Sequence, residues 1–196
     1  MKVNCLLCGV GGQGIVMASK LLALAAMDKG LNVRTAETIG MAQRGGCVVS
    51  HVRISDEQIA SSMISEGEAD VILAFEPGEA VRCLKYLKSD GALATVREVV
   101  QPVGAALGCQ AYDGEEMLSC LRKNVNRLLV ADKREICELS GSPKVLNTAL
   151  LAAAVYIGWL PISPEDLRLA VYGRIPEKYR ESNLRAMEEA RRIAGP

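Results

Sequence analysis

The sequence predicts an α/β fold: a single Rossmann-like domain with a mainly parallel sheet and a helical C-terminal region. Apolar runs typical of buried strands alternate with helical segments, and a glycine-rich turn joins the first strand to the first helix. The 196 residues suffice for one hydrophobic core. We therefore expect one domain over residues 1–196, with an α/β core over about 1–142 and a helical part over about 143–196.

The elements follow from local patterns of apolar residues. Strands are predicted at residues 3–8, 32–36, 47–54, 70–75, 91–96 and 127–130. Helices are predicted at residues 14–27, 80–87 and 114–122, with Gly30 ending the first. Residues 145–162 carry no charge, which favours a core helix over a membrane span because Gly158 and Pro161 interrupt the segment. Ser163-Pro164 and Pro176-Glu177 mark the starts of two more helices.

Composition excludes several classes of function. The 23 basic and 23 acidic residues balance, and no basic block occurs, so we expect neither nucleic acid nor a membrane as a partner. The N-terminal residues lack a signal-peptide pattern and the seven cysteines are scattered, which leads us to expect a cytoplasmic protein with reduced thiols. With His51 alone and one C-x-x-C pair, Cys5 and Cys8, on a strand, we expect no metal site.

The first chemical motif is a G-x-G-x-x-G turn between a strand and a helix. It contains Gly9, Gly11, Gly12, Gln13 and Gly14. Such a turn brings backbone N–H groups and the positive end of a helix to one place, which suits phosphate or carboxylate. Glu37 follows the second strand, 23 residues after Gly14, so a dinucleotide site is one interpretation, and a purely structural turn is another.

The second motif is a loop with three glycines around a Gln-Arg pair, which includes Gln43, Arg44, Gly45 and Gly46. The planar guanidinium of Arg44 is suited to bind a carboxylate or phosphate. His51 and Arg53 follow on the next strand and project from one face, so they are accessory candidates together with Glu37, although a structural role is favoured for His51.

Taken together, residues 8–15, 37–46 and 49–53 resemble the gamma subunit of 2-oxoacid:ferredoxin oxidoreductases. Within that family the resemblance is greatest to the beta subunit of the indolepyruvate enzymes, because residues 175–180, 183 and 184 also resemble its tail. The likeness spans nearly the whole chain. A G-x-G-x-x-G motif alone is common, whereas its combination with a G-M-x-Q-R-G-G loop is specific.

The resemblance implies an enzyme complex that decarboxylates a 2-oxoacid oxidatively and forms an acyl-CoA and CO2. Thiamine diphosphate and [4Fe–4S] clusters are expected in a larger alpha subunit, with coenzyme A as co-substrate and ferredoxin as acceptor. This chain has no clustered four-cysteine run, so we expect it to bind no cofactor alone. We expect the Gly9–Gly14 turn and the loop with Arg44 to meet an anionic group at the shared active site, with no catalytic residue assigned.

Two other interpretations remain open. A free-standing NAD(P)- or nucleotide-binding Rossmann protein would use Gly9, Gly11, Gly14 and Glu37, and a structural subunit would use the glycines only to shape turns. The low-charge first helix or residues 145–162 would supply the surface that docks a partner subunit.

Overall fold

A computed structural model describes residues 1–37, 46–101 and 112–195. Its strands form one six-stranded sheet in the order β2-β3-β1-β4-β5-β6. The strands are β1 (Lys2–Val10), β2 (Asn32–Glu37), β3 (Cys47–Ser55), β4 (Ala69–Ala74), β5 (Leu87–Val96) and β6 (Arg127–Ala131). β1, β4, β5 and β6 are parallel, whereas β3 is antiparallel to both β1 and β2. The predicted α/β fold with a mainly parallel sheet is confirmed.

Helices cover both faces of this sheet. They are α1 (Ile15–Asp28), α2 (Pro77–Cys83), α3 (Gly114–Asn124), α4 (Lys133–Ser140), α5 (Leu146–Tyr156), α6 (Pro164–Arg174) and α7 (Glu177–Ala194). Short 3-10 turns at Leu84–Tyr86 and Pro143–Val145 follow α2 and precede α5. α1 and α4–α7 contribute to one hydrophobic core, and α2 and α3 to a second core on the other face.

The first strand lies at the centre of the sheet, and its side chains alternate between the two cores. Cys5 and Leu7 pack with α1, whereas Leu6 and Cys8 pack with α2 and α3. Because β1 is covered on both faces, it has a continuous apolar sequence rather than an alternating one. The two cysteines of the C-x-x-C pair point to opposite faces, as the strand assignment predicts.

The uncharged segment near residue 150 is a core helix. Every residue of α5 from Leu146 to Val155 is buried, against α1, α4, α6 and α7. Gly158, with a φ of 79°, ends this helix, and the N–H of Trp159 donates to the carbonyl of Ala154 at 2.9 Å. Helices of the same chain already cover residues 146–155, so the docking surface expected over 145–162 does not include this part of the segment.

The first helix is also packed within the chain, against α5 and α6, so its low charge reflects internal burial. Gly30 ends it, as predicted, with a φ of 82°.

α6 starts with the predicted cap, because Ser163 and Asp166 bond reciprocally. α7 begins at Glu177, directly after Pro176, as predicted, and this end has no side-chain cap. In the described ranges, no helix has the length and hydropathy of a membrane span.

Candidate functional site

The loop between β1 and α1 is shaped by glycine. Gly12 and Gly14 have φ values of 97° and 83°, in the left-handed region where a side chain is strained. Gly14 directly precedes α1, and its carbonyl accepts the N–H of Ala18 at 3.0 Å. The first N–H groups of an α-helix have no intrahelical partner, so this end of α1 carries a positive potential.

Gln13 fixes this turn to the end of the neighbouring strand. Its Oε1 accepts the N–H of Val10 at 2.7 Å, and its Nε2 donates to the carbonyl of Phe75 at 2.8 Å. A β-carbon at Gly9 would lie 2.6 Å from Oε1 of Gln13, so the glycine leaves the space that this side chain occupies. The bonds give Gln13 a positioning role, and its contact with a ligand stays a prediction.

A residue that sequence reasoning missed supports the turn from behind. Nδ2 of Asn147, at the start of α5, donates to the carbonyl of Gly14 at 3.2 Å. Its Oδ1 accepts the N–H of Thr148 at 2.8 Å. The sequence did carry a signal for Asn147, which is an amide within a long uncharged segment. Because a buried amide needs polar partners, its presence indicates a hydrogen bond to another part of the chain.

The second predicted loop meets the first at its described end. The N–H of Gly11 donates to the carbonyl of Gly46 at 2.9 Å, and the next residue, Cys47, pairs with Val10. Gln43, Arg44 and Gly45 lie outside the described residues. The backbone of Gly46 therefore connects this loop to the glycine turn at one edge of the sheet.

Glu37 lies at the end of β2, as predicted, but β3 separates that strand from β1. In the dinucleotide-binding fold the acidic residue follows the strand adjacent to the first. Here the antiparallel β3 takes that place, and Oε1 of Glu37 accepts the hydroxyl of Ser19 at 3.0 Å. The geometry does not favour a dinucleotide at this position.

His51 and Arg53 support a different part of the chain. Nδ1 of His51 accepts the N–H of Ile64 at 3.2 Å. Nη1 of Arg53 donates to the carbonyls of Ser61 and Met63, at 3.1 and 2.9 Å. Both side chains thus hold the segment between β3 and β4, towards the amino end of β1. Burial lowers the pKa of His51, which favours the neutral ring.

The end of β4 contributes a buried carboxylate. Glu76 is 1% exposed, and its Oε2 accepts the N–H of Glu79 at 3.0 Å as the cap of α2. Its Oε1 accepts the hydroxyl of Tyr112 at 2.5 Å. Burial and this carboxylate raise the pKa of Tyr112, so the phenol stays protonated. Gly78 lies so close to the same hydroxyl that a β-carbon at this position would collide with it.

Glu79 adds a second buried carboxylate beside three cysteines. It is 7% exposed, and its Oε1 lies 3.6 Å from Nε of Arg82. Its Oε2 has no hydrogen-bond partner in the described part of the chain. Burial and Glu79 raise the pKa of Cys47 to about 12. A hydrogen bond with Cys83, together with burial, raises the pKa of Cys8.

These acids and thiols lie on the α2 and α3 face, whereas α1 packs on the opposite face. An anion is therefore favoured on the α1 side, away from Glu76 and Glu79. Residues 1–37, 46–101 and 112–195 contain no group of three or more His, Cys, Asp or Glu side chains placed to hold a metal ion.

Three comparisons with known proteins bear on this arrangement. The model of the pyruvate ferredoxin/flavodoxin oxidoreductase family matches residues 4–193. The chain is 38% identical over 191 residues to the indolepyruvate oxidoreductase subunit IorB of Archaeoglobus fulgidus, which covers 96% of this chain and 93% of that protein. It is 30% identical over 185 residues to the pyruvate/ketoisovalerate oxidoreductases common subunit gamma of Pyrococcus furiosus, covering 93% of this chain and 91% of that one.

A solved structure has the same fold. The keto/oxoacid ferredoxin oxidoreductase gamma subunit from Geobacter sulfurreducens superposes with a TM-score of 0.73, at 23% identity, over 99% of this chain and 97% of that one. The family match extends over nearly the whole chain, and the gamma subunit of Pyrococcus furiosus is similar over a comparable length. The chain therefore belongs to the pyruvate ferredoxin/flavodoxin oxidoreductase family, among its gamma-type subunits.

Proposed function

We propose that this chain is the small subunit of a 2-oxoacid:ferredoxin oxidoreductase that acts on indolepyruvate or a similar aryl pyruvate. The observation that carries the proposal is the 38% identity to an indolepyruvate oxidoreductase subunit over 96% of the chain. The contact between Gly11 and Gly46 supports it, since it joins the two loops that carry the family resemblance.

The chemistry of the complex then depends on partner subunits. Thiamine diphosphate and [4Fe–4S] clusters belong to a larger alpha subunit, ferredoxin accepts the electrons, and coenzyme A accepts the acyl group. The described residues of this chain do not fit such a cluster, because no three or more of their His, Cys, Asp or Glu side chains are placed to hold a metal ion. We assign no catalytic residue to the chain.

The role of this chain is to complete the edge of the shared active site. The N–H groups of Val10, Gly11 and Gln13 already donate within the chain. Those of Gly12 and Gly14 lie at the positive end of α1. Together with Gln43, Arg44, Gly45 and Gly46, they would hold an anionic group, either a phosphate of coenzyme A or the carboxylate of the 2-oxoacid. Glu37, His51 and Arg53 stay outside this role, since their side chains bond elsewhere in the chain.

The test is to produce this chain together with the larger subunit that we propose carries thiamine diphosphate and the iron–sulfur clusters. Anaerobic reduction of a viologen dye is then measured with indolepyruvate and coenzyme A, in the presence and absence of this chain. We expect reduction of the dye only when indolepyruvate, coenzyme A and this chain are all present. Pyruvate in place of indolepyruvate is the control for substrate class, and equal rates with both would overturn the aryl preference.

The competing function is a free-standing nucleotide-binding protein. It is not favoured, because β3 lies where the second strand of a dinucleotide fold is expected and Glu37 is bonded to Ser19. A chain that binds NADH tightly and does not associate with the larger subunit would restore that interpretation and remove the proposed one.

A further inference from the structure

A cavity of about 260 Å³ lies beside the first turn of α1, on the face away from Glu76 and Glu79. Small-molecule sites usually measure about 300–1,000 Å³, so this one suits a small ligand or one end of a larger one. It is formed by three parts of the chain that converge: the start of α1, the turn before α5, and the junction between α6 and α7.

The floor of the cavity is apolar and suits a flat ring. Met17, Val145, Ile175, Pro176 and Tyr179 line it. A thioether, a proline ring and a phenol are favourable neighbours for an aromatic group. Tyr179 is 43% exposed, and Nζ of Lys178 lies 4.9 Å from the centre of its ring, which leaves one face of the ring for a ligand.

The polar groups of the cavity offer mainly hydrogen-bond donors. Lys144 lines it and makes no ion pair within the described ranges, and no aspartate or glutamate is among the lining residues. Nδ2 of Asn147 has two hydrogens, of which one donates to Gly14. The hydroxyl of Ser142 accepts the N–H of Lys144 at 3.3 Å, which leaves its own hydrogen to donate.

The walls are held in place before any ligand arrives. Asn183, 7% exposed, donates from Nδ2 to the carbonyl of Tyr179 at 2.8 Å. Its Oδ1 accepts the hydroxyl of Thr148 at 2.6 Å. The first bond lies within α7 and the second ties α7 to α5, so both helices that wall the cavity are held by contacts of the chain itself.

From an apolar floor with a lysine at one side, we infer that this cavity binds an aryl carboxylate, with the ring on Met17 and Tyr179 and the carboxylate at Lys144. The choice of aryl acid rests on the proposed function. The inference extends that function, because it gives the small subunit its own contact with an aryl substrate or product.

The test is a calorimetric titration of the full chain with indole-3-acetate, using acetate and indole as ligands that carry only the charge or only the ring. We expect indole-3-acetate to bind more tightly than either. Lys144→Gln removes the charge and should weaken binding roughly tenfold, through loss of one charge-assisted contact. Ser182→Phe places a ring in the cavity, which Ser182 also lines, and should abolish binding.

The matched control is Lys123→Gln, which neutralises an exposed lysine at the end of α3 and should leave the affinity unchanged. Thermal unfolding checks that each variant is folded. The inference would be overturned if the original chain does not bind indole-3-acetate, or if Lys144→Gln and Ser182→Phe bind it as tightly as the original chain does. An active complex whose small subunit does not bind indole-3-acetate removes this inference alone, whereas binding alongside an inactive complex supports the site and counts against the proposed function.

Discussion

Asn147 and Gly14 are 133 positions apart in the sequence, yet Nδ2 of Asn147 donates to the carbonyl of Gly14 at 3.2 Å. The contact joins the first turn of α5 to the residue that precedes α1. Two independent features of the backbone and its surroundings require a glycine at position 14. The φ of Gly14 is 83°, and a β-carbon there would lie 2.5 Å from Nδ2 of Asn147.

These two effects are separable by substitution. We expect Gly14→Ala to lower the free energy of unfolding by about 2–3 kcal/mol, through backbone strain and through displacement of Asn147. Gly30→Ala is the matched control, because Gly30 has a φ of 82° but a β-carbon there would meet no atom within 4 Å, so only strain remains, at about 1 kcal/mol. Urea denaturation measures both, and equal losses would contradict the proposed crowding by Asn147.

Gln13 provides a second test of the turn. Replacing it with alanine leaves the N–H of Val10 and the carbonyl of Phe75 without the partners they have in the structure. We expect a loss of about 1–3 kcal/mol in the free energy of unfolding. Gln58→Ala changes an exposed glutamine and should stay within about 0.5 kcal/mol of the original chain. A Gln13 variant as stable as the Gln58 variant would show that water replaces both bonds.

Much of this fold is predictable because its central strands are covered on both faces. The apolar runs of β1 and β4 and the turn signals after them are local features, so their positions follow from the sequence. The insertion of β3 between β1 and β2 is not local. It depends on which strands pair across the sheet, and the residues of each strand taken alone do not specify that order.

The candidate site divides in the same way. Gly12 and Gly14 have the positive φ that a glycine-rich turn suggests, whereas Asn147 contacts Gly14 and Glu79 lies beside Cys47, both distant in sequence. An amide in a core helix and an acid in a first helical turn have ordinary structural explanations. Two structural observations separate these residues from such ordinary roles. Asn147 contacts Gly14, and Oε2 of Glu79 has no hydrogen-bond partner within the described ranges.

Stability should depend on pH through His51. Burial holds the pKa of its folded state below the ordinary value of 6.5. Below about pH 6.5 the unfolded chain binds a proton that the folded chain does not, so stability falls as the pH decreases through that value until the folded ring also titrates. We expect His51→Gln, whose side-chain oxygen still accepts from Ile64, to lose less stability between pH 7.5 and 5.5. Urea denaturation at several pH values measures the difference, and parallel curves would contradict it.

Cys47 should react slowly with alkylating agents although it is exposed. Its pKa is raised to about 12, first because the thiol is partly buried although the residue as a whole is exposed, and then by Glu79, so little thiolate forms at pH 8. Glu79→Gln removes the negative charge, and we expect alkylation by iodoacetamide to accelerate several-fold. Mass spectrometry of the labelled peptides gives the rate at each cysteine. Cys120, on α3, is the internal control and should react at the same rate in both proteins.

Arg44 is the residue through which the proposed function is tested most directly. If its guanidinium holds an anionic group of coenzyme A or of the 2-oxoacid, Arg44→Ala should raise the KM for that one reactant by roughly tenfold to a hundredfold, the effect of losing a charge-assisted, two-bond contact. Arg34→Ala, at an exposed position on β2, is the control and should leave both KM values unchanged. Gel filtration establishes that each variant still assembles with the larger subunit. Whichever KM rises identifies the ligand of the loop, and an assembled Arg44→Ala complex with unchanged kinetics would remove Arg44 from the site and leave the glycine turn as an element of structure alone.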